Sequence, residues 1–302
     1  MMTSLSTPST IIPPLVLPNF PLVQVSDEEL RKFAELIYQR TGIRVSPEKK
    51  ALLSNRLRRR LRETGLADFG AYYRHLHRLK NSDSEWDAFL QEITTHETYL
   101  FRDEHQWEWF RRGYLPEIVE RARTRPELRA LRVWSAACST GDESVTVACC
   151  LAADLPNFTQ WQVDILGTDI GVGALEQAKT AIFAERSMRL VPEEFRRRFF
   201  VQLPNMPVWQ ARSLVANLIR YRQHNLMSPM RERSFDLVLL KNVLIYFDAP
   251  ARRRAVEHVK TAVRPGGLLL TGAAEGIADF VSGWKRLQPW AYRKPGGRVN
   301  DD

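Results

Sequence analysis

Residues 131–155 read LRVWSAACSTGDESVTVACCLAADL, and the change of texture inside this stretch decides the fold. LRVWSAA, from Leu131, is a short apolar run that predicts a strand, and a turn of small residues follows it. DESVTVACCLAADL, from Asp142, opens on two acids and continues as an apolar helix. The same alternation carries on downstream. WQVDILGTDI predicts a strand, GALEQAKTAIF a helix, FDLVLLKNVL a strand, APARRRAVEHVKTAV a helix and GGLLLTGA a strand. Strands alternating with helices predict a doubly wound α/β domain with a mostly parallel sheet. Ligands of such domains sit outside the C-terminal strand ends, so the loops after Ala136, Asp169, Leu240 and Gly272 are the ones to inspect.

Upstream the pattern is helical. SDEELRKFAELIYQRTG starts with Ser26 as cap and Glu29 three residues on, and it stops near Gly42. SPEKKALLSNRLRRRLRETG repeats the device with Ser46 as cap, Pro47 in the first turn and Gly65 at the end. Leu53, Leu57 and Leu61 recur every four residues and face a core, leaving Arg56, Arg59, Arg60 and Arg62 as a basic surface. Such a face is either solvated or a docking site for something acidic. DFGAYYRHLHRL and SEWDAFLQEIT supply two more short helices. The expected organisation is a tail over 1–23, disordered or loosely docked, a helical domain over 24–90 and a linker over 91–130. An α/β domain over 131–295 follows, with a tail over 296–302.

The 302 residues, 44% hydrophobic and 26% charged, suit a globular protein with a sizeable core. No apolar run approaches the roughly 18–20 residues of a membrane span, and the proline-broken N-terminus lacks a basic segment. Cys138, Cys149 and Cys150 have neither metal-ligand spacing nor the makings of a disulfide framework, so no metal is expected and cytoplasm is the default. The net charge of +9 implies acidic partners, whether nucleic acid, a membrane surface or an acidic protein.

The loop SAACSTGDES has one glycine, Gly141, and is not the G-x-G-x-x-G dinucleotide fingerprint. Asp142 and Glu143 occupy the place where a pyrophosphate would sit, and there they repel phosphate but suit a cation or an amine. As first-turn acids they also suit the helix dipole. Asp169, ending the second strand, is placed to accept hydrogen bonds from ribose hydroxyls. Together these describe an adenosine ligand without phosphates and with a positive centre, which S-adenosylmethionine fits.

Five blocks in order carry a resemblance: TTHETYLFRDEHQW from Thr94, RVWSAACSTGDES, ILGTDIGVGALEQAKTAIF, RYRQHNLM and FDLVLLKNVLIYFD. They resemble the CheR chemotaxis-receptor methyltransferases, which use S-adenosylmethionine to esterify glutamate side chains of receptors. The likeness runs from about Ser26 to Glu275, and the helical module resembles the family's N-terminal domain. It implies a methyltransferase-type sheet with a small β-subdomain inserted about 199–218, and S-adenosylhomocysteine as product. Donor contacts are implied for His96, Thr98, Arg102, Glu143, Asp169, Asn225, Leu226, Lys241 and Asn242, and a reaction centre at Arg102 and Tyr246. Arg56, Arg59, Arg60 and Arg62 would dock the helical cytoplasmic domain of a chemoreceptor. No nucleic acid or membrane insertion is implied, and nothing demands more than a monomer.

Three departures stand out. His96 replaces the family's usual asparagine, GDESVTVA lacks the usual proline and tyrosine after the acids, and Lys241 stands where arginine is common. The inserted turn is LPNMP, not glycine-rich. Residue by residue, Asn225 could equally stabilise a turn and Tyr246 could be a core aromatic. A nucleic-acid methyltransferase is disfavoured because there is no N-P-P-Y-type motif and no Pro-Cys nucleophile pair. A donor-binding sensor, or a methyltransferase for a partner outside chemotaxis, stays open.

Overall fold

The computed structural model of the chain describes residues 24–296 except 81 and 233. The expectations for the two tails lie outside these residues, apart from Gly296.

Four helices build the N-terminal domain: α1 (Asp27–Thr41), α2 (Lys50–Thr64), α3 (Phe69–Arg78) and α4 (Ser84–Ile93). Ser26 and Glu29 close a reciprocal capping box on α1, and Gly42 ends it at φ 73°. Ser46 and Pro47 open a single 3-10 turn, Pro47–Lys49, so α2 itself begins three residues later than the sequence suggests. Leu53, Leu57 and Leu61 are buried against Phe33, Tyr72 and Phe89. Burying each leucine is worth roughly 2 kcal/mol over leaving it in water.

The expected basic face of α2 needs correction at two of its four positions. Arg60 is 7% exposed and lies inside the domain, bonded to Glu85 and Glu63, while the Tyr72 hydroxyl donates to the same Glu85. It is a buried counter-ion and presents no surface. Arg56 leans the other way, donating to the Ile93 carbonyl and to Thr95 Oγ1 at the domain boundary. Only Arg59, paired with Glu92, and Arg62 are exposed. Arg60→Ala is expected to lower stability by about 3 kcal/mol, since it strands the Glu85 carboxylate in the core. A urea midpoint equal to wild type would contradict that assignment.

A helical span then leads into the α/β domain: α5 (Glu104–Trp109), a π-turn (Phe110–Tyr114) and α6 (Leu115–Thr124). The sequence reading treated this stretch as linker. The π-turn precedes Pro116, whose ring would meet a carbonyl and which offers no N–H to an unbroken helix.

The alternating elements follow: β1 (Ala130–Ala136), α7 (Asp142–Asp154), β2 (Gln162–Asp169) and α8 (Val172–Thr180). The expected helix through Phe183 stops at Thr180, because Ala181 turns left-handed at φ 51° and Ile182–Ala184 becomes β3. After α9 (Glu193–Phe199), the hairpin of β4 (Phe200–Gln202) and β5 (Val208–Ala211) joins β3 in a three-stranded antiparallel sheet, order β3-β5-β4. The chain returns through α10 (Ser213–Ala216), β6 (Ile219–Gln223), β7 (Phe235–Leu240), α11 (Ala249–Ala262) and β8 (Val263–Thr271). It finishes with β9 (Lys285–Gln288) and β10 (Ala291–Arg293).

The main sheet runs β6-β2-β1-β7-β8-β10-β9, parallel from β6 to β8, with β10 antiparallel to both neighbours. Strand order reverses between β1 and β7, which opens a crevice at their C-terminal ends. The helical domain leans over that crevice. Ile43 forms an antiparallel bridge with Phe247, the Arg44 N–H donates to the Tyr246 carbonyl at 3.0 Å, and Gln223 Nε2 donates to Asp87 at 2.7 Å. Among the described residues no helix is long and apolar enough to cross a membrane, and no His, Cys, Asp and Glu cluster could hold a metal.

Candidate active site

One cavity fills the crevice, walled by the sheet loops below, Thr94–Tyr99 at the side and α1–α2 above. His96, Thr98, Arg102, Glu143, Asp169, Asn225, Leu226, Lys241, Asn242 and Tyr246 all line it, as does Arg56. Residues from Arg56 to Tyr246, far apart in sequence, therefore share one space. Arg59, Arg60 and Arg62 do not reach it.

The loop after β1 is wound tightly, with Ala137, Ser139 and Gly141 at φ 61°, 52° and 87°. Any side chain at Gly141 would strike the Tyr221 hydroxyl at 2.6 Å. Asp169 holds this loop from the side: its carboxylate accepts from Ser139 N–H and Gly171 N–H, both at 2.9 Å. A carboxylate has about four lone-pair sites, so acceptor capacity remains for a ligand.

The two acids of the first loop part company. Asp142 turns into the protein, where Thr140 donates to it at 2.7 Å, and it does not face the cavity. Glu143 does, with Ser135 donating to one oxygen at 2.6 Å. Burial pushes the Glu143 carboxyl up, against the opposing pull of Lys241 and the Ser135 bond. Lys241 is 7% exposed, 3.2 Å from Asp103, and sits over the Trp107 ring.

His96 stacks its options at the rim. Thr94 Oγ1 lies 2.7 Å from Nε2, and Nδ1 is 3.9 Å from Asp169. Burial, with a smaller push from Arg56, lowers its pKa from the ordinary histidine value against the opposing pull of Asp169, which favours the neutral ring. Asn225 spends its side chain on structure: Nδ2 donates to the Arg40 carbonyl and Oδ1 accepts from Met227 N–H. The turn-stabilising alternative describes that side chain, and its position fixes Leu226 at the cavity wall.

Arg102 is presented by two strained neighbours, Phe101 and Asp103, at φ 58° and 64°. Trp107 Nε1 fixes its carbonyl at 2.7 Å, and its own guanidinium reaches the Glu97 carbonyl at 3.1 Å. Tyr246 closes a 3-10 turn, Leu244–Tyr246, with its ring below Lys49. Sequence reading missed Trp107, Ser139 and Lys49 as cavity walls, along with Glu275. Glu275 is fully buried and accepts N–H bonds from Val243, Leu244 and Gly272. Trp107 and Ser139 stand inside stretches the sequence does single out, whereas no periodic or motif signal marks Lys49 or Glu275.

S-adenosylmethionine fits this donor set. The cavity offers carboxylates at Glu143 and Asp169 for an amine, a sulfonium and hydroxyls, with apolar walls at Leu226, Val243 and Trp107. A phosphate would have to lie against Glu143. Fold and cavity together define an S-adenosylmethionine-dependent methyltransferase.

Residues 96–289 match the family profile described as "CheR methyltransferase, SAM binding domain", and residues 28–94 match "CheR methyltransferase, all-alpha domain". A chemotaxis protein methyltransferase of Salmonella typhimurium is 33% identical over 261 residues, 85% of this chain and 86% of its own. That of Escherichia coli is 33% identical over 261 residues, 85% and 87% of the two chains. The chemotaxis protein methyltransferase 2 of Pseudomonas aeruginosa is 32% identical over 255 residues, 83% and 87%. The chain belongs to the CheR methyltransferase family.

Proposed function

We propose that this chain methylates glutamate side chains on the helical cytoplasmic segments of chemoreceptors, leaving glutamate methyl esters. The observation that carries the reading is the convergence of Arg102 and Tyr246 with the donor-type residues Glu143 and Asp169 in one cavity. S-adenosylmethionine supplies, when bound, an electrophilic methyl group. Asp169 would accept from its ribose hydroxyls, Glu143 would hold its positive end, and Leu226, beside Asn225, would wall the adenine side. A glutamate with a reference pKa near 4.3 is already ionised at pH 7, so no general base is required. The protein's task is to exclude water and align the carboxylate. Tyr246 donates its hydroxyl to that carboxylate, and Arg102 positions it without pairing so closely that the nucleophile is quenched.

The docking surface consists of Arg59 and Arg62 on α2, with Arg56 nearer the cavity, facing acidic receptor helices. Monomeric function in the cytoplasm is part of the proposal. Mass spectrometry of the receptor after reaction should map the mass of one CH2 onto glutamate-containing peptides. Modification confined to other residue types would overturn the reading. The rate should also fall steeply as salt rises past about 0.1 M, where charges are screened beyond about 10 Å. Indifference to ionic strength would remove the charged docking surface from the account.

A further inference from the structure

We infer that Glu275 is a positioning residue for methyl transfer: its carboxylate ties the loop after β7 to the loop after β8 and so sets where Tyr246 stands in the cavity. This rests on the proposed role of Tyr246.

Glu275 is 0% exposed and is not among the cavity walls, so it acts only through its neighbours. Oε1 accepts from Val243 N–H at 2.8 Å and Leu244 N–H at 3.0 Å, and Oε2 accepts from Gly272 N–H at 2.7 Å. The first two donors open the Leu244–Tyr246 turn. That turn has only two bonds of its own, Tyr246 N–H to Val243 O and Phe247 N–H to Leu244 O, both 3.1 Å. A single 3-10 turn is marginal without outside support. Glu275 caps its start, while Arg252 reaches the Leu244 and Phe247 carbonyls at 3.3 and 3.4 Å and the Glu275 carbonyl at 3.5 Å. From the opposite side Arg44 N–H holds the Tyr246 carbonyl. The turn thus hangs between Glu275 and the helical domain. A carboxylate is the group this junction needs, because three N–H donors converge on it. A glutamine brings one acceptor oxygen and turns an NH2 toward the remaining donors.

The test is a double-mutant cycle on full-length protein, reading turnover, S-adenosylmethionine affinity and thermal unfolding. Glu275→Gln is expected to lower kcat about tenfold to a hundredfold, the scale of a misplaced reacting group, with donor affinity changed far less. In a Tyr246→Phe background the same substitution should change kcat little, since no hydroxyl remains to be placed. A purely structural role would make the two losses multiply, and that result overturns the inference. Gly272→Ala probes the same junction without altering the charge, its Cβ meeting Asn242 Nδ2 at 3.0 Å, Asn242 N at 3.1 Å and Glu275 Oε2 at 3.2 Å, and because Asn242 lines the cavity its turnover is read at saturating donor. If Glu275→Gln does not fold, Gly272→Ala decides. A loss that vanishes with Tyr246→Phe supports the inference, and wild-type turnover or a multiplying loss overturns it. Tyr246→Phe at wild-type turnover sinks the Tyr246 role and this inference with it. An impaired Tyr246→Phe beside an unimpaired Glu275→Gln sinks this inference alone.

Discussion

Asp169→Asn should weaken S-adenosylmethionine binding about a hundredfold in a calorimetric titration, with the fold retained. The carboxylate does two things at once in this structure. It accepts the Ser139 and Gly171 N–H groups, and it presents its remaining lone pairs to the cavity. Asparagine keeps the shape but puts an NH2 group against one of those donors. Losing charge-assisted bonds and leaving a buried N–H unpaired together cost about 3 kcal/mol, and 1.4 kcal/mol is a factor of ten. The loop it releases is Ala137–Gly141, in which Ala137, Ser139 and Gly141 take the left-handed conformation that few side chains tolerate. Affinity within about threefold of wild type, well under 1.4 kcal/mol, would show that Asp169 serves the loop alone.

Arg102→Ala should cut turnover by about a thousandfold, the upper range for removing one preorganised polar group from a reaction centre. Donor affinity should change much less. The backbone on either side of Arg102 is held in a sparsely populated conformation, and four contacts maintain it there. Phe101 N–H donates to Thr146 at 3.0 Å, and Trp107 Nε1 and Lys241 Nζ both reach the Arg102 carbonyl, at 2.7 and 3.4 Å. Lys241 also pairs with Asp103 at 3.2 Å. A segment so fixed keeps its shape when the side chain is cut back, so the substitution reports on the guanidinium itself. Equal losses in donor binding and turnover would instead make Arg102 a plain donor contact.

The central sheet was legible because its strands are buried on both faces and read as continuous apolar runs. Phe235–Leu240 is buried at every position, and the last four residues of β1 likewise. β6 escaped notice because it is an edge strand in which arginines alternate with uncharged residues, Arg220 reaching Asp164 and Glu232 and Arg222 reaching Glu232. Periodicity also put Arg60 on the polar side of α2, correctly for its own helix. Its partner Glu85 arrives from α4, and no local pattern reports a contact 25 residues away.

The site divides along the same line. Residues at strand ends, such as Asp169, Lys241 and Asn242, are placed by topology and could be named from it. Glu275 sits in GAAEG, in the loop after Gly272 that topology points to, but nothing local in the sequence says that its carboxylate turns inward. Asn225 shows the converse: a motif position whose side chain is committed to backbone partners.

The most direct test of the account is transfer of labelled methyl from S-adenosylmethionine to receptor-containing membranes from the same source, followed by mild alkali. Release of the label as volatile methanol is the predicted result, since a carboxyl methyl ester hydrolyses where an N-methyl or ether group does not. Label that enters protein but stays after alkali would contradict glutamate as the acceptor, and donor binding with no incorporation would contradict receptor methylation altogether.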